Sequence, residues 1–135
     1  MALSTDVLRR VPLFADLPAR DLKQLAAAMR ERTFPAGTDV TSEGESGVGF
    51  FVITDGRATV TVDGEARRTL GEGDYFGEMA LIDGGRRSAK ITADTDLRCY
   101  GMTAWHFRPF LKDHPDVVWA LLETLVARLR EAERR

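Results

Sequence analysis

Cysteine is almost missing. Cys99 is the one thiol in 135 residues, so no internal disulfide can form, and a lone cysteine with two distant histidines cannot assemble a zinc-type ligand set. Long apolar runs are missing as well. No stretch approaches the roughly 20 apolar residues that span a bilayer, and the N-terminus, Met1 to Arg10, carries its arginines after its apolar residues with no apolar leader core. No membrane span and no secretory signal are expected, which points to the cytoplasm. A surplus of one charge is absent too: 19 Lys and Arg stand against 21 Asp and Glu, for a net charge of -2. Such a chain has no overall field for nucleic acid, so any phosphate must be held by local groups. Neither a metal-ligand cluster nor a poised general base is evident, so no metal, no cofactor and no enzymatic activity are expected.

What is present suits one soluble globular domain, with 44% apolar and 30% charged residues. Three regimes follow one another. In 1–33, Val7, Leu8 and Val11, then Leu22, Leu25, Ala26 and Met29, recur at helical steps on either side of Leu17-Pro18. This predicts a short helix, a turn and a second helix. Over 34–102, alternating β-branched and aromatic residues are punctuated by glycine-bearing turns, the pattern of a sandwich or barrel of short strands. Gly49 to Thr54 and Ala58 to Val62 are the clearest strands, and Ser88 to Ala93 and Leu97 to Met102 also suit strands. Asp63-Gly64 is the strongest hairpin signal, because a type I′ turn needs positive φ at both central residues. In 103–135 the helical period returns. Asp113-His114-Pro115-Asp116 makes a good helix start, and the helix runs to about Glu133. Val118, Leu122, Leu125, Leu129 and Ala132 then form a heptad-like seam.

One stretch fits none of these regimes. From Tyr75 to Ile91 the chain reads Y-F-G-E-M-A-L-I-D-G-G-R-R-S-A-K-I, with a short run, Glu78 to Ile82, that has the composition of one helical turn inside a β-region. Unsatisfied N–H groups at the start of such a turn, with the helix dipole behind them, attract an anion. Arg87 adds a guanidinium fork that matches two phosphate oxygens, while Ser88 and Ala89 are small enough for close backbone approach. Glu78 is then available to accept hydrogen bonds from a neutral sugar hydroxyl.

F-G-E-M-A-L-I followed by R-S-A, with Glu78 and Arg87 nine residues apart, resembles the phosphate-binding cassette of the cyclic nucleotide-binding domain family. The resemblance runs from about Leu8 to the end of the chain and is similar in order to the N-terminal half of bacterial cyclic AMP receptor proteins. It implies an α+β, mainly β fold: a jelly-roll β-barrel (a double-stranded β-helix) over 34–102, N-terminal helices in 1–33, a cassette at 76–89, and C-terminal helices in 103–135. It further implies that Glu78 bonds the ribose 2′-hydroxyl and Arg87 the cyclic phosphate. Phe76, Gly77, Met79, Ala80, Ser88 and Ala89 complete the cassette, and Val60 is implied to line the pocket. Ser88 after the arginine favours cyclic AMP over cyclic GMP. The family often has proline where Arg86 stands, and Val48 replaces an acidic residue usual in the Glu43 to Gly47 loop.

The resemblance also implies that the terminal helix faces the ligand. Arg128 falls where an arginine would brace Glu78, and Ala132 and Glu133 fall where hydroxyl side chains would meet the adenine. The expected function is therefore a cyclic nucleotide sensor without catalysis, forming a homodimer through the C-terminal helix. The residues end with that helix, so no DNA binding by this chain alone is expected. The alternative is a degenerate fold that serves as a dimerisation or protein-interaction scaffold without ligand.

Overall fold

Ser4 opens the first helix, its hydroxyl accepting the Asp6 N–H at 3.1 Å. In the computed structural model, which describes residues 4–41, 49–77 and 89–134, helix α1 spans Thr5–Arg9, a 3₁₀ turn spans Pro12–Phe14, and α2 spans Ala19–Ala28. Leu22, Leu25 and Ala26 are the buried stripe of α2, at the spacing that their sequence positions predict.

The chain becomes extended sooner than the 1–33 boundary implies. Strand β1 is Arg30–Phe34, and four of its five residues are exposed. It lies at the edge of its sheet, where one side has no neighbouring strand among the described residues and long charged side chains reach solvent. Its composition, Arg-Glu-Arg-Thr-Phe, therefore lacks the apolar alternation by which strands are recognised.

The other strands are β2 Asp39–Thr41, β3 Gly49–Asp55, β4 Ala58–Val62, β5 Glu65–Leu70, β6 Tyr75–Phe76, β7 Lys90–Ala93 and β8 Leu97–Thr103. They form two four-stranded antiparallel sheets, ordered β1-β8-β3-β6 and β2-β7-β4-β5. Asp63 and Gly64 have φ of 52° and 81°, so the β4–β5 hairpin turns as Asp-Gly predicts. With flanking helices, this is the mainly β roll implied by the sequence.

Period-2 alternation divides β3 and β8 between two cores. Ile53, Leu97 and Cys99 point between the sheets, where they join Ala58, Val60, Leu70, Phe76, Ile91 and Ala93. Phe50, Val52, Tyr100 and Met102 point the other way, onto the helices. Phe50 is the centre of that second core: its ring lies 4.3 Å from Phe107, 5.5 Å from Tyr75 and 6.1 Å from Phe14. Each such aromatic pair contributes about 0.5–1.5 kcal/mol beyond its buried area, so this group fixes the helices to the sheet that carries β6.

Helix α3 spans Ala104–Asp113, and α4 spans Pro115–Glu133, with His114 between them and Pro115 in the first turn of α4. The start at 113–116 and the end at Glu133 match the sequence signals. The seam does not. Val117 and Leu121 are buried, whereas Trp119, Leu122, Val126 and Leu129 are the large exposed apolar residues. Val118 and Leu125 are only half-buried and Ala132 is exposed. The apolar residues of α4 are thus split between an inner face on the protein body and an outer stripe that keeps Leu122 and Leu129 of the expected heptad and has Trp119 and Val126 where Val118 and Leu125 were expected. A helix with apolar residues on more than one face leaves the register of its seam undetermined by sequence alone.

Candidate functional site

The two ends of the expected cassette are held by the strands beside it. The Gly71–Asp74 turn is pinned to β3: Ile53 N–H donates to the Asp74 carbonyl at 2.8 Å, and Gly73 N–H donates to the Ile53 carbonyl at 2.9 Å. An Asp74 carboxylate oxygen also accepts the Gly71 N–H at 2.8 Å. The turn delivers Tyr75 and Phe76 into β6, opposite Val52 and Phe51. Phe76 is 3% exposed, and its ring stacks on Phe51 with centroids 5.2 Å apart and planes at 19°. Gly77 follows with φ of 95°, a left-handed conformation open to glycine and strained for other residues. This residue is the last one described before the expected cassette turn.

At the far end, half-buried Ala89 packs on the core between the sheets and leads into β7. Ile91 pairs with Val60, and Lys90 pairs with Thr61. Phe76 belongs to one sheet and Lys90 to the other. Val60 is 2% exposed in that core. Glu78, Met79, Ala80, Arg87 and Ser88 lie outside the described residues, as does the short helical turn expected from Glu78 to Ile82.

The terminal helix reaches the same place. Arg128, half-buried on α4, holds its guanidinium carbon 6.0 Å from the Tyr75 ring centroid, within the range of a cation–π contact. Arg128 is therefore beside the strand that enters the cassette, three residues before Glu78 in sequence at Tyr75. Ala132 and Glu133 are exposed in the last turns of α4. Tyr75 was not among the expected site residues. The signal for it was an aromatic residue next to the glycine entrance, which does not disclose a partner so distant in the chain.

Burial pushes the Cys99 thiol up to about 12, with the Arg32 charge opposing, so it remains a protonated core residue. Burial raises the Tyr100 hydroxyl above its ordinary value, and the Glu31 carboxylate that accepts its hydrogen bond at 2.9 Å raises it further. Among the described residues there is no His, Cys, Asp and Glu group that could hold a metal.

Residues 31–114 match the model of the cyclic nucleotide-binding domain. The chain belongs to that family. A cyclic nucleotide-gated potassium channel of Rhizobium etli is 36% identical over 118 residues, which cover 87% of this chain and 33% of the channel. A cAMP-dependent protein kinase regulatory subunit of Yarrowia lipolytica is 41% identical over 93 residues, covering 67% of this chain and 25% of the subunit. The solved structure of PKAR CBD2 bound to Sp-2Cl-cAMPS superposes with a TM-score of 0.84 at 27% identity, covering 96% of this chain and 88% of that one. This chain thus spans about a quarter to a third of the length of these curated relatives. The family's fold is a regulatory one, and the expected jelly roll with N-terminal helices and a long C-terminal helix is the one observed. No helix among the described residues is long and apolar enough to cross a membrane.

Proposed function

We propose that the chain is a sensor domain that binds cyclic AMP, with cyclic GMP as the weaker ligand, and that it has no catalytic step. The observation that carries this reading is where the chain enters and leaves the expected cassette: Phe76 lies in one sheet and Lys90 in the other, Ala89 packs on the core that holds Val60, and Arg128 stands over the Tyr75 ring. In this reading Arg87 and the N–H groups of the cassette turn hold the cyclic phosphate, and Glu78 accepts from the ribose 2′-hydroxyl. Met79, Ala80 and Ser88 shape the cradle, and Phe76 and Val60 supply its apolar floor. Relatives named for cyclic AMP or for a cyclic nucleotide support the ligand class.

Helix α4 supplies the response. Arg128 joins it to Tyr75, three residues before Glu78, so a ligand that bonds Glu78 changes the surroundings of Arg128 and favours one position of α4 over another. Ala132 and Glu133 close over the base in the ligand-bound position. The exposed stripe Trp119, Leu122, Val126 and Leu129 gives the domain a homodimer contact along the same helix. That stripe also supports a second reading, in which the fold serves as a dimerisation scaffold and binds no ligand.

Thermal shift and calorimetry against cyclic AMP, cyclic GMP and cyclic dinucleotides separate the two readings, because a ligand that binds the native state must raise its melting temperature. A charge-assisted hydrogen bond contributes about 1.5–3 kcal/mol, so Arg87→Ala should weaken cyclic AMP binding by roughly one to two decades. Equal affinities for wild type and Arg87→Ala would overturn the cassette roles. No shift with any nucleotide at saturation would leave the scaffold reading in its place.

A further inference from the structure

A cavity of about 420 Å³ opens at the β1 edge of the first sheet, and none of its described lining residues belongs to the cassette. Its wall is set by one row of the sheet: Arg30 on β1, Gly101 on β8 and Phe51 on β3 are direct neighbours in register, so their side-chain positions share one face. Gly101 has no Cβ, and one placed there would lie 2.4 Å from a Phe51 ring carbon. A Cβ on Gly49 would lie 2.6 Å from the same ring. The two glycines therefore leave the room in which the Phe51 ring lies, and with Phe76 stacked on it the ring forms an apolar wall.

The polar groups around this wall are cationic or neutral, and none of the described lining residues is acidic. Arg32 also projects from β1 and is exposed. It makes no hydrogen bond or ion pair among the described residues; its guanidinium stands 5.8 Å from the Phe34 ring centroid. Arg30 donates from one terminal nitrogen, Nη1, to the Ala27 and Met29 carbonyls, which fixes its guanidinium at the end of α2 and leaves its other nitrogens to donate elsewhere. His106 closes the far side, with Nδ1 3.2 Å from the Thr103 hydroxyl. A volume in the range of small-molecule sites, one aromatic wall and a pair of guanidinium forks on one rim fit a particular kind of guest.

We propose that this cavity is a binding site for a small organic anion with a flat apolar body and a carboxylate, the body lying against Phe51 and the carboxylate meeting Arg32 and Arg30. The site is distinct from the one proposed for the cyclic nucleotide, because every described lining residue lies outside the cassette, and Phe76 touches it only through its stack on Phe51.

The probe is 2-naphthoate, titrated into the full chain and followed by amide NMR and calorimetry. Saturable shifts centred on Gly49, Phe51, Gly101 and Thr103 are expected, with neutral 2-naphthamide binding more weakly. Arg32→Gln removes the charge at an exposed position and keeps a polar side chain, so the variant should melt like wild type. It should bind 2-naphthoate roughly tenfold more weakly or worse. The proposal is overturned by equal affinity of wild type and Arg32→Gln, by shifts centred on Val60 and Ala89, or by no binding of 2-naphthoate. A polyglutamate peptide that moves the same amides while 2-naphthoate does not would make this face a protein contact instead.

Discussion

Cys99 shows how one core position governs alkaline stability. It is fully buried on β8, with Arg32 and Ile53 as its register neighbours, and its pKa is raised from 9.0 to about 12, burial outweighing the Arg32 charge. A group whose folded pKa is raised stabilises fully below the unfolded pKa and loses that contribution as pH rises towards the folded one. The loss here begins near pH 9 and approaches a few kcal/mol by pH 12, at about 1.4 kcal/mol per unit. In urea titrations the stability of wild type should therefore fall relative to Cys99→Ala between pH 9 and 12. Tyr100 also titrates there, but it is present in both proteins and cancels in the difference. A difference that does not change with pH would mean that the thiol ionises in the native state. The core role of Cys99 is legible from its sequence context in an alternating strand. The Arg32 charge beside it is not, because β1 and β8 meet through a pairing of residues distant in the chain.

At the scale of elements, the junction between α3 and α4 is tied back to α2. His114 Nε2 lies 3.3 Å from Asp21 Oδ2, with the two side chains 15% and 18% exposed. Its Nδ1 lies 2.8 Å from the Phe110 carbonyl, and its ring stacks on Phe110 at 4.3 Å. Both ring nitrogens thus face oxygen, and the hinge from which α4 leaves the body is held to the N-terminal helices. A double-mutant cycle of His114→Ala and Asp21→Ala should give a coupling of about 1–2 kcal/mol in urea unfolding, as expected for neighbours in one polar contact. Zero coupling would assign the junction to the Phe110 stack alone. The helix start at 113–116 and the Asp63-Gly64 hairpin were legible because capping and turn chemistry are local. Strand β1 was not, since an edge strand with four exposed residues carries no period of its own. For the candidate site, the motifs around Glu78 and Arg87 carried the resemblance to the family, whereas the approach of Arg128 to Tyr75 depends on a contact between α4 and the β6 strand that are distant in the chain.

The outer face of α4 bears on the whole molecule. Trp119, Leu122, Val126 and Leu129 are 66%, 47%, 46% and 59% exposed, and their steps of three, four and three residues place them on one stripe. A contiguous apolar stripe on a long helix is costly in water and marks an interaction surface. In the proposed homodimer it packs against its copy. The inner face, with Val117 and Leu121, remains on the protein's own body, so dimerisation and folding draw on different residues of the same helix. This separation selects the test. Leu125 is half-buried, and a charge there would disturb the protomer as well as any interface. Val126→Glu introduces a charge on the exposed stripe, where folding has little at stake. Light scattering should find wild type at twice the protomer mass and Val126→Glu at the protomer mass. Melting of the variant should then lose the concentration dependence that an associating protein shows. A wild type that stays monomeric at high concentration would remove the dimer from the proposal and leave the stripe free for a different protein. If cyclic AMP binding survives Val126→Glu unchanged, the pocket belongs wholly to one protomer. A loss of affinity would show that closure of α4 over the base depends on the second copy.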